Sequence, residues 1–298
     1  MRILVTGAGG FVGRHFMARA LAAGHEAVTL PRRADGNGFL PDWPDGVEGV
    51  VHLAALNPRR GDPDARNLVA LRRANVEATR DLAGRAARAG VRRMVFVGSA
   101  AIHSPNGAIP VSEADAPAPR TPYALSKAEA ETAFWTALAE HRGMTEGVVL
   151  RPVTVFGPGA RNLTAALSRL ARTPFPLPLG GLGEPRSLVW VESLCDAILL
   201  ALAADGAAGG TFLVADDGPL DPAEIVAALR EGAGRARRVL PAPSGLAKAA
   251  ARLLGKGDAF ATATGGLVVS NARARNTLGW RPAEAREALR AMAATGDL

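Results

Sequence analysis

The chain holds a single tyrosine, Tyr123, and one of its three lysines, Lys127, follows four residues later in "TPYALSK". On a helix this spacing puts both side chains on one face, one turn apart. A phenol ordinarily releases its proton near pH ~10, too high for a base at neutral pH, and an adjacent ammonium stabilises phenolate and lowers that value. Ser99 closes the apolar run "RRMVFVGS". Its hydroxyl could bond the substrate oxygen that Tyr123 protonates or deprotonates, although a serine at a strand end commonly serves only as a turn or cap. Together the three predict a proton-transfer centre.

"TGAGGFVG" supplies the second constellation, with Gly7, Gly10 and Gly13 three residues apart where a first strand meets a first helix. Glycine suits a tight turn, a pyrophosphate close to the backbone and a helix packed near the sheet, and the helix N-terminus adds free N–H groups and a positive dipole end. A dinucleotide is expected. The second strand ends in "LPRRADG" where an acidic residue would bond the ribose of NAD. Arg32 and Arg33 suit a 2′-phosphate by charge and forked donors, and Asp35 lies further into the loop. NADP(H) is favoured and NAD(H) is the alternative; the arginines also read as a solvated loop. Lysine at position 127 suits such a cofactor, because its compact ammonium can reach ribose hydroxyls.

These side chains need a scaffold. Short apolar runs ("RILVTG", "HEAVTL", "GVVHLAA", "RRMVFVGS", "EGVVLRP") alternate with helical stretches at Phe11–Gly24, Ala65–Ala89 and Tyr123–His141. That alternation predicts an α/β, Rossmann doubly wound parallel sheet, with one helix missing before "GVVHLAA". Beyond Pro152 the texture turns Pro- and Gly-rich, pointing to a smaller C-terminal α/β substrate-binding domain. The expected division is 1–155, joined by 186–206, for the nucleotide domain and mainly 156–298 for its companion.

Length and composition narrow the class. A chain of 298 residues can bury a full core, and a lone Cys195 offers neither disulfide framework nor cysteine metal cluster. No metal is expected. The opening "MRILVTGAGG" leaves no room for a signal peptide, and the apolar runs are shorter than the roughly 20 residues of a membrane span. A soluble, cytoplasmic protein is expected. The net charge of +7 is spread over scattered arginines, which does not favour nucleic acid as a partner.

With "TGAGGFVG", "VVHLAAL", "NVEAT", "VGSAAIH", "YALSK", "LRPVTVFGPG", "RSLVWVESLCDAI" and a late "NTLGWRP" in order, the chain resembles extended short-chain dehydrogenase/reductases of the NAD-dependent epimerase/dehydratase family. The resemblance implies Tyr123 as acid/base, Lys127 as its electrostatic partner and ribose ligand, and Ser99 as substrate hydrogen-bond donor. It also implies that Asn75 helps hold the lysine and a water. Cofactor contacts are implied at Gly7, Gly10, Phe11, Val12, Gly13, Arg32, Arg33, Asp42, Trp43, Leu53, Ala54, Ala55, Tyr123, Lys127 and Pro152. Asp42 reads equally as a turn aspartate.

Substrate contacts are implied at Ser99, Asn162 and Arg186, the last two against a nucleotide or pyrophosphate; a loop cap and a surface arginine are their plain readings. The pattern is most similar to the branch acting on UDP-N-acetylhexosamines as 4-epimerases or 4-keto reductases. Thr154, His103 and the "VES" around Glu192 depart from the commoner family residues, and no carboxylates follow Ser99, which disfavours dehydration. The expected partner is a small molecule, a nucleotide sugar first, with homodimers through the helices flanking the catalytic one common in the family. A reductase of small non-nucleotide carbonyl compounds and a non-catalytic NADP sensor are the alternatives.

Overall fold

The computed structural model describes residues 1–33, 38–40, 42–58, 62–105, 109–141, 145–243, 245, 253, 255 and 264–295. β1 (Arg2–Thr6) is fully buried past its first residue and runs into the glycine turn. α1 (Phe11–Ala22) follows and stops before Gly24, whose φ of +76° favours a residue without a Cβ. β2 (Glu26–Thr29) is short, and the isolated bridge Arg32–Phe39 leads on to β3 (Gly49–His52). No helix occurs among the described residues of that connection, as the turn-rich sequence predicts.

The next helical run has three parts: α2 (Leu68–Leu71), a π-helical turn over Arg72–Glu77, and α3 (Ala78–Arg88). β4 (Arg93–Val97), α4 (Pro122–Glu140) and β5 (Glu146–Pro152) complete the alternation. Thr121 caps α4 by accepting from the Ala124 N–H at 3.1 Å, and Pro122 occupies the first turn, where its missing N–H costs nothing.

After β6 (Thr154–Phe156), α5 (Leu163–Ala171), β7 (Leu177–Gly180), β8 (Leu188–Trp190) and α6 (Val191–Ala203), the chain returns to the large sheet as β9 (Thr211–Val214). All pairings in the six-stranded sheet are parallel, in the order β2-β1-β3-β4-β5-β9. The fold is thus Rossmann-type α/β. Its direction of winding reverses between β1 and β3, and in open α/β sheets the crevice at the carboxyl ends of such strands is where ligands bind.

α7 (Pro222–Gly232) opens with a reciprocal Asp221–Glu224 capping box, and β10 (Val239–Pro241), α8 (Ala272–Leu278) and α9 (Ala285–Ala294) finish the fold. One apolar cluster lies on each face of the sheet, and a third, around Phe156, Leu188, Ile225 and Leu289, belongs to the smaller lobe with its parallel pairs β6–β8 and β7–β10. β9 lies within the stretch expected to belong mainly to the substrate domain. We propose that the sheet-bearing unit be drawn to include it.

Candidate active site

The glycine turn is shaped by close approach. Gly7 has φ +76°, and a Cβ there would stand 2.6 Å from the Ala54 backbone nitrogen, while one on Gly13 would overlap the Gly7 carbonyl oxygen. The turn is therefore pressed against the loop after β3 that contains Leu53, Ala54 and Ala55. Gly10 is the N-cap residue of α1 and offers no side-chain cap, and the first turn of α1 has no acidic residue. Its leading N–H groups and dipole remain available to an anion, which fits a dinucleotide pyrophosphate. Phe11 and Val12, half-buried, begin that helix, and the Phe11 ring meets His15 edge-on.

β4 delivers Ser99 and α4 delivers Tyr123 and Lys127. The Ser99 oxygen caps a short 3-10 turn by accepting from the Ala101 N–H at 3.2 Å, and its hydroxyl is near enough to Tyr123 to pull the phenol's pKa down. The cap that the sequence offered for Ser99 is therefore present. Burial pushes the Tyr123 phenol up to about 12, and Ser99 works the other way. Lys127 is 3% exposed and donates to the Val97 carbonyl at 2.9 Å, with its ammonium 4.4 Å from the Phe96 ring centroid. Burial pulls Lys127 down to about 7, against the carboxylate of Glu131.

This balance differs from the sequence expectation that the ammonium lowers the phenol. In the protein alone desolvation governs both groups, and the lysine's proton is engaged by the end of β4.

Asn75 sits in the π-helical turn, a distortion common at functional sites. Its amide oxygen accepts from the Leu56 N–H at 2.7 Å, and its amide nitrogen donates to the Leu56 carbonyl at 3.1 Å and to Ser126 Oγ at 3.0 Å. The side chain therefore reaches α4 through Ser126, the residue beside Lys127. Pro152 closes β5, paired with Val214.

Other expected contacts are already engaged. Arg32 donates to the Ala74 carbonyl at 3.0 Å and lies over the Phe39 ring, while the Arg33 side chain is exposed. Asp42 is exposed, and the half-buried Trp43 has the Arg85 guanidinium 5.5 Å from its ring centroid. Asp35 lies outside the described residues. The Asn162 side chain caps α5 by accepting from the Thr164 N–H at 3.1 Å and donates to the Val155 carbonyl at 2.6 Å. Arg186 is 8% exposed and donates to the Gly265 carbonyl; burial lowers its pKa, against Glu184. A cleft of about 710 Å³ opens beside Asn162, lined by Phe156, Gly157, Arg161, Thr164 and Arg169 among others, and Ser99, Tyr123 and Lys127 do not line it.

Sequence reasoning missed two networks. Arg151 binds Glu131 through Nε–Oε2 at 3.0 Å and Nη2–Oε1 at 2.6 Å, and donates through Nη1 to His103 Nε2 at 3.1 Å. Arg151 can only donate, so His103 Nε2 is the bare nitrogen of the ring, and burial first, then Arg151, lower the His103 pKa. His15 joins α1 to Glu192 (2.7 Å) and to the Pro158 carbonyl (3.1 Å). The only advance signal was that His103 and Glu192 break the family pattern.

The NAD dependent epimerase/dehydratase family profile matches residues 3–215. The chain belongs to that family. This family member is 33% identical to a Vibrio cholerae UDP-glucose 4-epimerase, with 94% of this chain and 90% of the relative covered. It is also 33% identical to a Streptomyces 3-diazoavenalumate denitrifying reductase, over 95% of this chain and 96% of that one. Among solved structures, RMD from Pseudomonas aeruginosa complexed with NADPH shares its fold at a TM-score of 0.77 and 24% identity, with 99% and 98% of the two chains covered. The protein is an NAD(P)-dependent epimerase or reductase of the extended short-chain dehydrogenase/reductase type.

Proposed function

We propose that the protein transfers hydride to or from a carbon of a nucleotide sugar, C4 of a UDP-hexose first, using NADP(H). The observation that carries this reading is Tyr123, influenced by Ser99 and one helical turn from the buried Lys127 that is bonded to the end of β4, at the carboxyl edge of a doubly wound parallel sheet. The nicotinamide cofactor supplies the hydride donor or acceptor when bound. Ser99 orients the substrate oxygen. Tyr123, held as the phenol, gives its proton to that oxygen as a ketone is reduced, and takes one back when an alcohol is oxidised. Lys127 offers its positive charge to the phenolate left behind and its N–H groups to ribose hydroxyls.

Gly7, Gly10 and Gly13 admit the pyrophosphate, helped by contacts from Phe11, Val12, Leu53 to Ala55 and Pro152. Asp42 and Trp43 are assigned to the adenine end, and Arg32 and Arg33 to the 2′-phosphate. The cleft at Arg161 and Arg169, next to Asn162 and with Arg186 in the same lobe, is assigned to the substrate diphosphate. We place the enzyme in the cytoplasm on its lone, buried thiol, and as a homodimer through the helices beside α4. Among the described residues no helix is long and apolar enough to cross a membrane.

The Streptomyces reductase, equally identical in sequence, is named for a small substrate without a nucleotide and favours a second reading: NADPH-dependent reduction of a small non-nucleotide compound, for which a carbonyl is the first candidate. Tyr123→Phe separates chemistry from binding. The expected result is loss of turnover by at least about 100-fold, with NADPH binding within about twofold of wild type, and competition by UDP against substrate. Retained turnover removes Tyr123 from the mechanism, and indifference to UDP selects the small-carbonyl reading.

A further inference from the structure

A second line of polar groups, all buried, runs beneath the catalytic trio. The Ala54 N–H points at Thr6 Oγ1 (3.4 Å), Thr6 Oγ1 meets His52 Nδ1 (2.6 Å), and His52 Nε2 meets Thr79 Oγ1 (3.0 Å). Thr79 Oγ1 then donates to the Asn75 carbonyl at 2.5 Å. From the same Asn75 the line continues through its amide to Ser126 Oγ, which donates to the Tyr123 carbonyl at 2.8 Å. Thr6, His52, Asn75, Thr79 and Ser126 are each at most 1% exposed.

The proton inventory permits one direction. A carbonyl only accepts, so Thr79 spends its single hydroxyl proton on Asn75 and can only accept from the imidazole. His52 therefore carries its proton on Nε2 and presents a bare Nδ1, to which Thr6 donates. The Thr6 oxygen is then left to receive the Ala54 N–H. The charged groups acting on the ring are Lys127 and Arg32, both cations; with burial as the larger cause, they keep His52 well below its ordinary range. Phe39 and Phe96 enclose the ring at centroid distances of 5.9 and 5.5 Å.

We propose that His52 is a positioning residue, locked as the neutral Nε2–H tautomer, whose hydrogen-bond chain holds the cofactor loop Leu53–Leu56 and the Tyr123 turn of α4 in one fixed register. The assignment to cofactor and acid/base groups rests on the function proposed above, whereas the tautomer does not. Nitrogen-15 NMR of the wild-type chain is expected to show His52 with Nε2 protonated and Nδ1 bare throughout about pH 5.5–8.5. An Nδ1–H tautomer, or an imidazolium within that window, overturns the proposal.

Thr79→Val removes both bonds at one point and keeps the branched shape, while Thr79→Ser restores the hydroxyl. The valine variant is expected to weaken NADPH binding about tenfold and the serine variant to stay within about twofold of wild type. Equal binding by a folded Thr79→Val, or failure of serine to rescue, overturns the role assigned to the chain. A wild-type protein that binds no nicotinamide cofactor defeats the proposed function instead, and the NMR result still judges the network.

Discussion

Lys127 is an amine held far from its ordinary protonation range. Its unfolded-state pKa of about 10.4 falls to about 7 in the fold, mainly through burial. Between those values the unfolded chain binds more protons than the native one, so this group makes stability rise with pH. Cys195 acts oppositely above its ordinary range of about 8.5, since burial pushes its thiol up, so the clean window is about pH 7 to 8.5. In that window the urea midpoint of the cofactor-free protein should gain on that of Lys127→Met as pH rises. Parallel pH dependence of the two proteins would mean that the lysine is not depressed in the fold.

At the scale of elements, the β1–α1 turn depends on two contacts that only glycine allows. Gly13→Ala drives a methyl into the Gly7 carbonyl, and the overpacking should cost about 1–3 kcal/mol and weaken cofactor binding. Gly9→Ala is the internal control, because a Cβ there meets nothing within 4 Å; its stability should stay within about 0.5 kcal/mol of wild type. Urea titration with NADPH binding on both variants checks the contrast. The π-helical turn before α3 is the second such device, since it places Asn75 where its amide meets both Leu56 and Ser126.

For the whole molecule, the late segment "NTLGWRP" fastens the C-terminal part to the sheet. Trp280 is 2% exposed, shares a cluster with Ile3, Val5 and Ile198, and donates its indole N–H to the Ser193 carbonyl at 3.0 Å. Trp280→Ala should therefore lower unfolding free energy by about 3–5 kcal/mol as measured by urea denaturation, although the residue lies far along the chain from β1. A loss below about 1 kcal/mol would show that the large core does not depend on this anchor.

Local chemistry made much of this legible in the sequence. The alternation of apolar runs, the glycine spacing and the Tyr123–Lys127 interval each depend on residues near one another in the chain, so β1 to β5, the first turn and the shared face of α4 could be read directly. What needed the tertiary structure involves partners far apart in sequence. β9 joining the large sheet beside β5, Arg32 spent on Ala74, Asn162 spent on capping α5, and the buried Arg151–Glu131–His103 group have no local signature. Protonation followed the same division. The sequence determined that a phenol and an ammonium stand one turn apart, and the fold decided, by burying both and turning the ammonium to the end of β4, that desolvation is the larger influence on each.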